Sequence, residues 1–262
     1  MSRRAHAVSV LLLLTIVLAV PSLAAGASGG TPLTPGGGAG VGGGGSGVGG
    51  GGSGPATSPQ PGNVSVTASS GGLTLASHAS TILRNRLSFT GSASAGQAGQ
   101  TVQIERLGHQ TGWHWLPTAQ ATIAPNGSFS ASWQTNHIGR FSIRALISQP
   151  GPAHAASSPP TVTVTVYLLS KATQYGPGFY GQRTACGTRL RPSTIGVANR
   201  TLKCGTKVSL LYRGQTLVVP VIDRGPYANG ASWDLTEATA KALGIEGTAE
   251  IGAVSLPPRP AP

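Results

Sequence analysis

Val208-Ser209-Leu210-Leu211-Tyr212-Arg213-Gly214-Gln215-Thr216-Leu217-Val218-Val219-Pro220-Val221-Ile222-Asp223-Arg224-Gly225-Pro226 is the stretch that decides the fold. Two apolar, β-branched runs flank the dipeptide Arg213-Gly214, which predicts a β-hairpin. Pro220 has no amide hydrogen, so a fully paired central position is not expected for it. Asp223-Arg224-Gly225-Pro226 ends the second strand as a turn. Downstream, Asp234-Leu235-Thr236-Glu237 reads as a helix start with Asp234 as N-cap and an acid at N3. Gly244 is the expected stop. Leu235, Ala238, Ala242 and Ile245 form the predicted apolar stripe. One short helix among strands gives an all-β C-terminal region.

Upstream, residues 62–167 alternate in the strand period. Arg86–Thr90, Thr101–Glu105, Ser128–Trp133, Phe141–Ala145 and Thr161–Val166 each place apolar side chains on one face. Asn126-Gly127 is a tight-turn signal. Six or seven short strands in about 100 residues predict a β-sandwich, and this segment resembles immunoglobulin-like modules in topology. Trp133 alternates with Phe129 and Ala131 and is expected in the core. Of Trp113, His114 and Trp115, at least one must face solvent. Pro150 to Pro160 reads as a short linker, with few contacts expected across it.

The first residues read as an address. Arg3-Arg4, an apolar run from Val8 to Val20, and small residues up to Ala25 describe a secretory signal peptide at 1–25. The run is short for a membrane span, so no stable span is expected after cleavage. No Cys ends the signal, so a lipid anchor is not expected. Seventeen of the 40 glycines fall between Gly26 and Gly54, and 26–61 reads as a flexible linker. The G-x-G-x-x-G matches there lack a preceding strand and a following helix, so a dinucleotide site is excluded. Residues 255–262 are a Pro-rich tail.

Composition narrows the chemistry. The only acids are Glu105, Asp223, Asp234, Glu237, Glu246 and Glu250, and no His follows His154. A Cys/His zinc site in the last hundred residues is excluded; no metal and no cofactor is called for. Cys186 and Cys204 are the only cysteines, and in an exported chain they predict one disulfide. The net charge is +12, or +10 once Arg3 and Arg4 are removed. Basic residues crowd the start of the C-terminal region, but an exported chain without a recognition helix does not suit nucleic acid. Anionic wall polymers suit it better.

The C-terminal region resembles the rare lipoprotein A-like family. The residues that carry the likeness are Ala172–Gly176, Arg183–Gly187, Val197–Leu202, Gly205–Val208, Asp223–Tyr227 and Asp234–Thr236, in the family's order and spacing. The likeness implies a six-stranded double-psi β-barrel over 168–254, related to expansins and barwin-like proteins. It implies a peptidoglycan lytic transglycosylase with Asp223 as the main acid/base and Asp234 as a second catalytic acid. The implied substrate groove includes Thr173, Tyr175, Thr188, Asn199, Arg224 and Tyr227. The lytic enzymes carry Glu where this chain has Thr188 and His where it has Asn199. That departure keeps a second reading open, an expansin-like protein that binds or loosens wall polysaccharide without cutting it. From the residues alone, Asp223 could instead pair with Arg224 or brace its turn, and Tyr180 and Trp233 could be core rather than groove. Peptidoglycan or another anionic wall polysaccharide is the expected partner; the sequence sets no oligomeric state.

Overall fold

The computed structural model describes residues 64–148 and 158–259. The expected signal, the glycine-rich stretch and most of the Pro150–Pro160 run lie outside these residues.

The upstream half is a sandwich of two sheets. Its strands are β1 (Ser65–Ser70), β2 (Leu73–His78), β3 (Ser80–Ile82), β4 (Arg86–Ser92), β5 (Thr101–Leu107), β6 (Leu116–Thr122), β7 (Ser128–Gln134), β8 (Gly139–Ser148) and the first part of β9 (Thr161–Tyr175). One sheet has the order β1-β2-β4-β7. The other runs β9-β8-β5-β6, with β3 lying parallel to β9. Alternation along β4, β5, β7 and β8 turns one apolar residue in two inward, as the period requires. Leu75, Phe89, Ile104, Phe141, Ile143 and Val164 are fully buried between the sheets. Trp133 joins them, edge-on to Phe141 at 5.5 Å. His114 is the member of the Trp113–Trp115 trio that faces solvent. Asn126-Gly127 does form a tight turn, with the Asn126 side chain accepting from the Ser128 amide at 3.0 Å and Gly127 at φ +81°. It carries the chain from β6 in one sheet to β7 in the other.

The downstream half is built from β9, β10 (Val197–Ala198), β11 (Lys207–Tyr212), β12 (Gln215–Asp223), β13 (Trp233–Thr236), helix α1 (Glu237–Leu243) and β14 (Ala249–Leu256). β11 and β12 are the expected hairpin, with Tyr212 opposite Gln215. Arg213 and Gly214 take φ +46° and +81°, the pair of positive angles that a two-residue turn of this twist needs. Pro220 faces Lys207 on β11, and pairing to β10 begins only at Val221. The strand order β9-β14-β11-β12-β10-β13 returns to β9 through a parallel β13–β9 pairing, which closes a six-stranded barrel. Val197, Val208, Leu210, Val219, Val221, Leu235 and Ile251 fill it.

Two sequence expectations are corrected here. The Pro-rich run is expected to be a short linker with few contacts across it, but the strands on its two sides, β8 and β9, pair within one sheet. The passage from sandwich to barrel is β9 itself, uninterrupted across residue 167, with Ile82, Tyr167, Leu211 and Val254 packed at the junction. Buried Tyr167 and Ser209 share a hydrogen bond of 2.9 Å there. The second correction concerns α1. Its N-cap is Thr236, whose hydroxyl accepts from the Thr239 amide at 3.2 Å, and Asp234 belongs to β13. The buried stripe is accordingly Thr239, Ala240 and Leu243, whereas Ala242 is exposed. Gly244 closes the helix at φ +69°, as expected.

Candidate active site

β10 is two residues long, and its second residue decides the geometry. Ala198 stands beside Asp234 on β13 and beside Asp223 on β12. The register on the β12 side slips between Val197 and Ala198, so that Asp223 rather than Ile222 comes level with Ala198. Such irregularities re-aim side chains. Ile222 packs over Gly196, where a Cβ would meet it at 2.6 Å. Residues level with one another on neighbouring strands face the same side, so both carboxyls flank the Ala198 methyl. Two strand spacings separate their Cα atoms, about 10 Å.

Both carboxyls line one open cleft of about 190 Å³. Ala198 and Leu190 lie between the walls, with Tyr175, Phe179, Thr184, Arg183 and Arg224 around them. Phe179 is largely exposed and meets Tyr175 edge-on at 6.3 Å.

The two acids are held differently. Asp223 accepts the Ala185 and Arg224 amides, both at 2.8 Å and both on Oδ1. It thus braces the turn and ties it to the segment carrying Cys186. The Arg224 guanidinium goes elsewhere, to the Asn199 and Asp223 carbonyls at 3.3 Å and to Cys204 Sγ at 3.3 Å. Among the described residues the ion pair is Arg144–Glu105 at 2.7 Å, so Asp223 is braced but not paired with Arg224. Asp234 accepts from the Thr173 hydroxyl at 2.8 Å. Its pKa is raised above the ordinary carboxylate value, first by burial and then by the facing Asp223 charge, with the Thr173 bond opposing. The Tyr175 hydroxyl is buried without a well-formed hydrogen bond. Burial, followed by the charges of Asp223 and Asp234, pushes its pKa up, so it keeps its proton.

Of the residues expected in the groove, Tyr175, Asp223, Arg224 and Asp234 meet in the cleft, and Thr173 supports Asp234. Thr188, Asn199 and Tyr227 are not among the lining residues. The Thr188 carbonyl closes the 184–188 turn at 2.8 Å from the Thr184 amide. Asn199 spends its side-chain oxygen on the Thr201 and Leu202 amides. Tyr227 is 77% exposed. Trp233 is core, and Tyr180 bonds Glu237 through its hydroxyl. Phe179, Gln182, Arg183, Thr184, Leu190 and Ala198 also line the cleft and were missed. For Phe179 the signal was there, an aromatic in a Pro-Gly turn that no core would hold.

Residues 171–256 match the lytic transglycolase family model. The barrel is a double-psi β-barrel of that family's kind, and the likeness read from the six motifs stands. The chain is 44% identical over 87 residues to the probable endolytic peptidoglycan transglycosylase RlpA of Synechocystis sp., covering 32% of this chain and 27% of that protein. It is 41% identical over 81 residues to the corresponding protein of Aquifex aeolicus, covering 30% and 36%. The endolytic peptidoglycan transglycosylase RlpA of Pseudomonas aeruginosa PAO1 is 29% identical over 174 residues, covering 56% and 50%. The chain thus spans a quarter to a half of the length of these relatives. Among solved structures, the Streptomyces papain inhibitor is similar over 34% of this chain and 93% of its own, at 26% identity and a TM-score of 0.28.

The raised pKa of Asp234 has a consequence for stability. A carboxyl whose folded-state pKa exceeds its unfolded value favours folding fully below the unfolded pKa. That contribution is lost as pH rises through the folded-state pKa. At pH 7 the charge is therefore a cost. Asp234→Asn removes the charge and keeps an oxygen for Thr173. The variant is expected to be more stable than the wild type at pH 7, by less than about 1 kcal/mol because the group is only half out of solvent. The gap should close at pH 3. Thermal denaturation at the two pH values checks this; a variant less stable at pH 7 would contradict it.

Proposed function

We propose that the barrel acts on the glycan strands of peptidoglycan as a lytic transglycosylase, cutting without water. The observation that carries this reading is the pair of carboxyls flanking Ala198 in one cleft, one of them held toward its neutral form. Asp234 protonates the glycosidic oxygen as the bond to the anomeric carbon breaks. The Asp223 carboxylate stabilises the positive charge that develops there. Asp234, now ionised, takes the proton of the sugar's own hydroxyl, whose oxygen closes on the anomeric carbon. The product is an anhydro-ended strand, and the acid is restored. The likeness to the family implies Asp223 as the main acid/base; here burial makes Asp234 the better proton carrier and leaves Asp223 to stabilise charge. Tyr175 and Phe179 offer aromatic surface to the sugar, and Arg183 and Arg224 offer charge to its anionic groups. In this reading Met1–Ala25 directs export to the wall. Among the described residues no helix is long and apolar enough to cross a membrane.

A second reading, glycan binding without cleavage, is favoured by one observation. Thr188 and Asn199, which replace the family's Glu and His, carry no titratable group and lie off the cleft lining. Purified glycan strands distinguish the two. Digestion with the full chain is expected to yield anhydro-sugar ends by mass spectrometry. Retention of the chain on strands that stay uncut would select binding instead.

A further inference from the structure

Among the described residues a second cavity is larger than the barrel cleft. It has about 400 Å³ and lies where the sandwich meets the end of β14, within the usual range of ligand sites and at the kind of junction where they occur. The sandwich contributes Trp113, His109, Gln110 and Arg140; the barrel side contributes Val254 to Pro257 and Arg259.

Three features make this cavity more than a packing gap. Trp113 has φ +63°, a left-handed conformation that a bulky side chain rarely adopts. Backbone strain of this kind gathers at ligand sites. Arg259 lies over the Trp113 ring at 5.8 Å, so a cation and an aromatic wall come together. Finally, no acid answers the two arginines. Glu105 is paired with Arg144, Asp223 and Asp234 line the other cleft, Glu237 meets Tyr180, Glu250 stands level with Lys171, and Glu246 is not among the lining residues. Gln110, Ser142, Thr163 and Ser255 add neutral hydrogen-bonding groups to the wall.

We propose that this cavity is a second saccharide site, taking a sugar ring that bears a carboxylate or phosphate. The ring's C–H face lies against Trp113, the hydroxyls meet the neutral polar groups, and the anion is held by Arg140 and Arg259. The site does not depend on cleavage in the barrel cleft. It gives the sandwich a task of its own, holding an anionic strand or polymer beside the barrel.

The test uses the full chain and calorimetric titration with N-acetylmuramic acid, glucose 6-phosphate, N-acetylglucosamine and inorganic phosphate. The anionic sugars are expected to bind at least tenfold more tightly than N-acetylglucosamine, and Arg140→Gln should weaken them about tenfold. Trp113→Gly is the deciding variant. Glycine suits the positive φ, so the variant should melt no lower than the wild type, yet binding should be lost. N-acetylmuramic acid ahead of glucose 6-phosphate would point to a carboxylate source, and the reverse order to a phosphate-bearing polymer. Inorganic phosphate binding as well as the sugars would reduce the cavity to an anion site and overturn the proposal. So would sugar binding that survives both Trp113→Gly and Arg140→Gln, or no binding of any probe.

Discussion

Glycan strands digested with the Asp223→Asn chain are expected to release anhydro ends at least about a hundredfold more slowly than with the wild type. The substitution is close to shape-neutral. Asparagine keeps an oxygen where Asp223 Oδ1 accepts the Ala185 and Arg224 amides, so the turn and the melting temperature should hold. What goes is the negative charge facing Asp234. Its removal also lowers the Asp234 pKa, because that charge is one of the causes raising it. The basic limb of the pH profile should therefore move to lower pH. Carbon NMR of the Asp234 carboxyl reads the same shift without any catalysis. An Asp234 titration identical in the two proteins would mean that the carboxyls do not interact.

The second large effect is expected from the disulfide. Cys186 and Cys204 are bonded, with Cα atoms 5.7 Å apart and a sequence separation of 18. Closing a loop of this length removes enough freedom from the unfolded chain to make Cys186→Ala with Cys204→Ala cost about 3 kcal/mol, measurable by urea denaturation. The loss of function should exceed the loss of stability. The Cys186 amide reaches the Ile222 carbonyl at 3.3 Å, its neighbour Ala185 holds Asp223, and Cys204 Sγ receives Arg224. The bond thus clamps both segments that aim Asp223. Cleavage at full rate by the folded double variant would show that the clamp is dispensable.

The hairpin β11–β12 was legible because alternation and Arg213-Gly214 are local signals. Asp223 was legible as the residue ending a strand. The place of Asp234 on a strand was not, because Asp234-Leu235-Thr236-Glu237 reads locally as a helix start. What extends β13 to Thr236 is pairing with Ala172–Tyr175, 61 positions away. β10 is too short to leave a periodic trace, and the register slip that aligns Asp223 with Asp234 exists only in the paired state. The Pro150–Pro160 run misled for a related reason. Prolines mark a break in the chain, but the sequence does not say that the strands on either side are neighbours in one sheet.

β9 carries a mechanical consequence. At roughly 3.3 Å per residue it is a rod about 50 Å long, hydrogen-bonded to β8 at one end and to β14 and β13 at the other. A pull on the sandwich is not absorbed by a slack connection; it runs along one backbone to Thr173, whose hydroxyl holds Asp234. Tension along this strand loads the hydrogen bonds on its flanks in shear, and the residue that holds the acid stands at its far end.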